Sequence, residues 1–453
     1  MTQNHAIQRL VIEIKAPDYN TARERQEEMS RWAKAESLWR VLSEKLDALV
    51  PSDKVLTIPK LELNIVGSTE AAFQKAFTES FVKAVEQVLS QSNGAELIDL
   101  QEDLSTLALY FLEKGTLPPH VSTEKGAALQ AFLHNQFHTT ERAFWGVFIQ
   151  RITEHPQMLQ RLIQHVGIEK ARLFIINGLQ ANPIVLTWIE DFIAKNPEGI
   201  KLETAIWQRL LKERDTIIFN EIPFKEWLNK EYISDTRHPT SEIETPSVQE
   251  HQKASLNENR EEHKRHLKDH ETTVFYINNA GLVLLWQYFT PLFKALGWVE
   301  GKNWRSEKEQ HQAVVLLEYL VRGESAKDTW EYDWTLNKIL CGLPLDTVIE
   351  QFGDSDFGFR TGDPEIRNPK SEIENLLRAA IEYWTVLKNT SIAGLQETFL
   401  QRSGKLTYRA EGEGWQLQVE RKTVDILLER LPMGWSFSVI KLPWMTEMIF
   451  VDW

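Results

Sequence analysis

Cysteine is almost missing from this chain: in 453 residues only Cys341 occurs. That excludes an intrachain disulfide framework and a thiolate zinc cluster, and it makes a reducing compartment the natural setting. Long apolar runs are missing too. The greasiest stretch, NNAGLVLLWQYFTPLFKALGW at 278–298, is uninterrupted only from Ala280 to Trp286. A bilayer span needs roughly 20 such residues, so no direct membrane span is expected. Positive charge is in short supply, with Lys+Arg 51 against Asp+Glu 65 and a net charge of -14. Nucleic acids and anionic membranes select basic surfaces, so neither is expected as a partner. The opening residues have no basic segment leading into a long apolar one, and Gln8, Arg9 and Glu13 interrupt what apolar character there is. They are read as something other than a secretory signal.

What is present is ordinary globular material, 42% hydrophobic and 26% charged, in a length that suggests two or three domains. Tryptophan is abundant, with 16 residues, ten of them from Trp286 onward. A buried indole offers large apolar area and needs a partner for its N–H, so this density reads as a well-filled core ahead of a buried interface.

The hydrophobic pattern divides the chain into four parts. In residues 1–92, IQRLVIEI at 7–14 suits a strand, and Ala22, Met29, Trp32, Ala35, Trp39, Leu42, Leu46 and Leu49 mark one face of a long helix closed by Pro51. Leu61, Leu63 and Ile65 alternate with polar residues as in a second strand, and Phe73, Phe77, Phe81, Val85 and Val88 form a second helical stripe. The expectation is an N-terminal β-α-β-α unit; if its strands pair in parallel, the crossover is right-handed. Residues 93–230 read as helical throughout, cut by Gly115, Pro118, Pro119, Pro156, Gly167, Pro183 and Pro197. Residues 231–273 hold few large apolar residues and read as a polar flexible linker. Residues 274–453 read as a tryptophan-rich helical domain ending in a small antiparallel sheet, with a hairpin in KLTYRAEGEGWQLQVE and one or two strands in FSVIKLPWMTEMIFVDW. The fold class expected is therefore mainly α with small α/β parts. In 278–298, Leu282, Leu285, Phe289, Leu292, Phe293 and Leu296 share one helical face, Asn278 or Asn279 can cap it, Gly297 can end it, and Pro291 predicts a kink or a break.

The residues that could carry chemistry do not assemble into a motif. His134 and His138, like His266 and His270, stand four apart as metal ligands on a helix do, but neither pair has the HExxH glutamate or a marked third ligand. SGKL at 403–406 resembles the end of a phosphate-binding loop, yet Phe399 and Leu406 occupy the places of its first glycine and its Ser/Thr. DSDFGFRTGDPE at 354–365 fits a calcium loop at Asp354, Asp356 and Glu365 and fails at the sixth position, Phe359. Cys341, in LCGLPL, reads as a buried structural thiol. No catalytic, metal or cofactor-binding residue is nominated, no cofactor is expected, and the chain is read as a non-enzyme.

Several stretches taken together resemble the tape measure proteins of contractile injection systems, the phage-tail-like machines of bacteria. They are IQRLVIEI with the helix after it, TIPKLELNIVG, YINNAGLVLLWQYFTPLFKALGW (276–298), EQHQAVVLLEYLVRG (309–323), LNKILCGLPL (336–345), NTSIAGLQETFLQRSGKL (389–406), LLERLPMGWS (427–436) and KLPWM (441–445). Val66 before Gly67, and Met433 where a first Leu-Pro-Trp would place tryptophan, depart from the family pattern. The resemblance implies a noncatalytic assembly component that helps determine tail tube length or links the tube to spike and baseplate. Its implied partners are tube, spike or baseplate proteins, in an oligomeric particle. It would be cytoplasmic during assembly and within the particle afterwards. An assembly chaperone or cap or baseplate adaptor of the same machine is the alternative; a delivered effector enzyme and a free-standing helical adaptor are the readings from other classes.

Overall fold

Proline and glycine punctuation sets the grain of the architecture, since each break ends one helix and aims the next. A computed structural model describes residues 12–15, 18–33, 36–51, 54–58, 61–65, 70–91, 96–119, 121, 123, 125–135, 142–179, 184–194, 199–213, 221–233, 274–350, 369–409 and 414–453. The chain divides into two units, residues 1–107 and 108–453.

In the first unit, α1 (Tyr19–Ala33) and α2 (Glu36–Leu49) precede β1 (Lys54–Thr57), α3 (Glu70–Gln91) and β2 (Glu96–Asp99); α4 (Leu100–Lys114) follows and crosses the unit boundary. Asp18 caps the entry to α1 by accepting from the Thr21 amide at 3.0 Å. The expected stripes form the core: Met29, Trp32, Leu42, Phe77, Phe81 and Val85 are buried together, and the Trp32 indole meets Phe73 and Phe77 edge-on. Two expectations change here. Of the expected long helix, α1 and α2 are described, and residues 34–35 between them lie outside the described residues. Leu61, Leu63 and Ile65 do pack on this core in alternation, but 61–65 has no regular secondary structure. The described strands are instead β1 and β2, and they pair antiparallel. Of the stretch 7–14, residues 7–11 lie outside the described residues, and 12–14 have no regular structure although Ile12 and Ile14 reach the core.

The second unit begins with an array of short helices: the end of α4, then α5 (Lys125–Asn135), α6 (Arg142–Glu154), α7 (Gln157–Val166), α8 (Ile168–Leu179), α9 (Ile184–Ile193), α10 (Gly199–Lys212) and α11 (Glu221–Ile233). Phe132, Phe144, Phe148 and Phe174 form its aromatic centre through edge-on and stacked contacts. A buried clasp holds α8 to α10: the Arg172 guanidinium donates to both Glu203 carboxylate oxygens, and the Trp207 indole N–H donates to Glu203 at 3.0 Å.

The C-terminal part opens with β3 (Val274–Ile277), a 3-10 turn at Ala280–Leu285 and α12 (Trp286–Ala295), followed by the small hairpin β4 (Val299–Glu300) and β5 (Asn303–Trp304). Then come α13 (Glu307–Arg322), 3-10 turns at Gly323–Asp328 and Glu331–Trp334, α14 (Thr335–Cys341), α15 (Pro369–Tyr383) and α16 (Ile392–Leu395) with a π turn at Gln396–Leu400. A five-stranded sheet closes the domain: β6 (Gly404–Arg409), β7 (Gly414–Val419), β8 (Val439–Ile440) and β9 (Ile449–Asp452) join β3 in the order β3-β6-β7-β9-β8. The hairpin expected in KLTYRAEGEGWQLQVE, 405–420, is present in β6 and β7, but β7 and β9 run parallel, so the sheet is mixed. Pro291 sits inside α12, and the break falls earlier, where the 3-10 turn becomes α-helix at Leu285–Trp286. Asn279 stands at the N-cap position but makes no capping bond. Gly297 ends the segment with φ +69°.

Several C-terminal tryptophans are core residues with satisfied N–H groups, whereas the buried Trp384 Nε1 has no hydrogen-bond partner. Trp435 donates to the Leu284 carbonyl at 2.8 Å, Trp444 to Leu340 at 2.8 Å and Trp304 to Cys341 at 3.1 Å. Trp304, Trp444, Trp298 and Phe293 interlock by ring contacts of 4.7–6.2 Å. Among the described residues no helix is long and apolar enough to cross a membrane.

Candidate functional site: a buried charged junction

The densest polar chemistry lies within the second unit, where the helical array meets the C-terminal part of the chain, at the short sequence WEYDW, residues 330–334. Trp330 is extended and the chain then turns sharply, because the Asp333 carboxylate accepts from the Trp330 amide at 3.0 Å. The Trp334 indole N–H donates to Thr329 Oγ1 at 2.9 Å, and the Thr335 hydroxyl to the Tyr332 carbonyl at 3.0 Å. This turn sends Trp334 into the C-terminal hydrophobic cluster and presents Trp330, Glu331 and Tyr332 to the array.

The array receives them with three helices. From α7, Arg161 donates to Glu331 through Nε at 2.9 Å and Nη2 at 3.1 Å, to the Leu112 carbonyl at 2.5 Å and to the Asp346 carbonyl at 2.8 Å. Lys338 of α14 donates to Glu331 and to the Leu345 carbonyl, both at 2.6 Å. All three charged residues are at most 1% exposed. Around them Phe111 of α4 touches Trp330 and Tyr332, His165 stacks on Trp330 at 4.6 Å, Gln130 of α5 donates to the Tyr332 hydroxyl at 2.7 Å, and Gln164 donates to the Ile349 carbonyl at 2.7 Å.

Two glycines make the fit. A Cβ on Gly115, whose φ is +70°, would stand 2.4 Å from Glu331 Oε1 and 2.8 Å from Arg161 Nη2; one on Gly126 would stand 2.5 Å from the Tyr332 hydroxyl. Only hydrogen at these positions lets the backbone approach so closely.

The electrostatics follow from burial and pairing. Burial pushes the Glu331 carboxyl up, but Lys338 and Arg161 outweigh it and hold the group far below the usual carboxylate range, so it stays ionised. Burial pulls Lys338 and His165 below their ordinary values. Asp333 is pushed up to about 6, first by burial and then by the nearby Glu318 carboxylate.

A second polar knot lies just behind, inside the C-terminal core. Glu318 accepts from Asn279 at 2.9 Å, Asn337 at 3.0 Å and Arg322 at 2.6 Å, and Asn337 also donates to the Val314 carbonyl at 3.1 Å. A third joins Arg402 to Asp425 at 2.5 Å, with the Trp453 indole donating to the same carboxylate at 3.0 Å. In each knot the acid is occupied by buried cations or amides. Chemically these groups hold segments of the chain together.

Sequence reasoning nominated no site residue and missed all of these. A signal was present in α7: Arg161 and His165 lie on the same face as Met158 and Leu162, all buried or nearly so; Lys338 sits in α14, TLNKILC, every residue of which is buried. A cation at a core position demands a buried partner. Among the weighed candidates, His134 is half-buried and its Nδ1 lies 3.2 Å from Lys170 Nζ. His138, His266, His270 and the stretch 354–365 lie outside the described residues. Gly404–Leu406 simply open β6, and Cys341 is fully buried with its thiol pushed well up by burial. Among the described residues no group of three or more His, Cys, Asp or Glu could hold a metal ion.

The class these features define is a mainly helical structural protein, in which buried charge joins one segment to another. More particularly, the family model described as contractile injection system tape measure protein matches residues 4–453, and the chain belongs to that family. No curated protein and no solved structure matches it.

Proposed function

We propose that this chain is a noncatalytic assembly component that helps determine tail tube length or ties the tube to spike and baseplate. The observation that carries the reading is the family match over essentially the whole chain. Tube, spike or baseplate proteins are its partners, it acts in the cytoplasm during assembly, and it ends within the particle. As a ruler, a fully helical 453-residue chain would reach about 680 Å at ~1.5 Å per residue. In this reading residues 231–273 are a tether between the helical array and the domain at 274–453. The test lengthens or shortens 231–273 and measures tubes by electron microscopy: tube length that follows the change supports a gauge, and unchanged length removes that segment from the mechanism.

The packed, tryptophan-rich C-terminal core favours a second reading, an end-anchored chaperone or cap or baseplate adaptor of the same machine. Mass spectrometry of purified particles separates the two. A tube-resident ruler copurifies at a fixed ratio, whereas a chaperone is required for assembly and absent from the product.

A further inference from the structure

Charge in the junction is not balanced. One carboxylate, Glu331, faces two buried cations, Arg161 and Lys338, and beside them His165 is 7% exposed by side chain with Nε2 buried, without a hydrogen-bond partner, and 3.9 Å from Glu331 Oε2. Its ring is stacked on Trp330, with an interplanar angle of 19°, and lies 5.3 Å from Phe111. The segment it touches is what seats the array on the C-terminal domain. The hydrophobic cluster of that domain draws on residues 275–453 and takes in none of the described residues of 108–233. Described contacts that cross between them include polar and aromatic ones: the Arg161 fork, Gln130 on Tyr332, Gln164 on Ile349, Asn278 on Thr123 at 2.8 Å, and the rings around Trp330.

We propose that this junction is a proton-operated latch. A proton taken up on His165 Nε2 unseats the Trp330–Glu331–Tyr332 segment, and the helices of 108–233 part from the C-terminal core as a folded body. A third positive charge, beside Arg161 and Lys338 and against the single Glu331 carboxylate, in a dry pocket is relieved most directly by admitting water, and that parts the array from the segment. The sign agrees. Burial pulls the docked His165 below its ordinary value, so the undocked form takes up the proton first; docking is complete above about 6.5 and weakens as pH falls below it.

The other charges acting on His165 are Arg161 on its own helix, Glu331 and Lys338 opposite, and His134 on α5. Glu331 is held too low to take part near neutrality. Asp333, pushed up to about 6, gains its proton more readily when folded and so works against release on acidification.

Hydrogen exchange of the full chain, corrected for intrinsic rates, is compared at pH 7.5 and 5.5. The expected result is a tenfold or greater loss of protection in 157–166 and 327–334, with 184–212 and 404–419 unchanged and a larger radius of gyration by solution scattering. In His165→Phe, which keeps the stack and cannot titrate, the acid response falls below twofold; His165→Gln serves if that variant does not fold. His134→Gln keeps the response. An unaltered wild type at pH 5.5, an equal loss in both His165 variants, or simultaneous loss of protection in 184–212 each overturns the proposal.

Discussion

Replacing Glu331 with Gln tests whether the junction works as described. The carboxylate accepts two bonds from Arg161, at 2.9 and 3.1 Å, and one from Lys338 at 2.6 Å, with all three residues almost wholly buried. Gln keeps the volume and removes the charge, leaving two buried cations without a counter-ion, a change that costs about 3–5 kcal/mol. Replacing the whole triad with apolar residues, Arg161→Leu, Glu331→Leu and Lys338→Met, removes the uncompensated charge. Recovery is partial, because the carbonyls of Leu112, Asp346 and Leu345 then lose their donors at about 1–3 kcal/mol each unless water reaches them. The assay is urea unfolding followed by far-UV circular dichroism, read together with amide exchange in α7, since a chain of several parts does not unfold in one step. A Glu331→Gln protein with wild-type exchange in α7 and a loss below about 1 kcal/mol would refute the argument that this carboxylate holds the two cations in place.

Gly281→Ala should prevent the C-terminal core from forming, because the new Cβ would stand 1.7 Å from the Phe399 carbonyl oxygen and 2.7 Å from Leu400 Cα; loss of the near-UV tryptophan signal is the readout. Gly115→Ala meets both a clash with Glu331 and a left-handed backbone worth about 1–2 kcal/mol, so its unfolding midpoint should fall, measurably more than for Gly167→Ala, which has a positive φ but no neighbour within 4 Å. Asp333→Asn should raise stability at pH 7.5. The folded Asp333 binds its proton up to about pH 6 while the unfolded chain releases it near 3.8, so wild type loses stability as pH rises between those values and the variant does not. An advantage for Asn that persists unchanged at pH 3.5 would contradict this.

The local grain of the fold was readable because helix faces repeat every three or four residues. Met29, Trp32 and Leu42, the Phe73–Val85 stripe and most breaks in the array stand where the pattern placed them. Strands were harder. Leu61, Leu63 and Ile65 alternate toward the core without a ladder, while Glu96–Asp99, within a stretch read as helical, pairs with Lys54–Thr57. Alternation reports which side of the chain is buried, whereas a strand also needs a partner's hydrogen bonds. Pro291 shows the same limit: its lost bond is to the Gln287 carbonyl, and both residues line an open groove with Tyr288 and Tyr383 where water can reach it, so the helix runs on.

By itself the sequence determined the short-range and whole-chain properties: a helical grain, an N-terminal packed stripe, a tryptophan-filled C-terminal core, no stretch apolar enough to span a bilayer, and the ordered motifs that resemble its family. Tertiary structure alone decided that Arg161 meets Glu331, 170 residues away, that Lys338 joins them, that β9 lies parallel to β7, and that His165 Nε2 is buried beside them without a hydrogen-bond partner. Periodicity records how much of a residue is buried. The identity of its partner depends on long-range packing that no local spacing encodes.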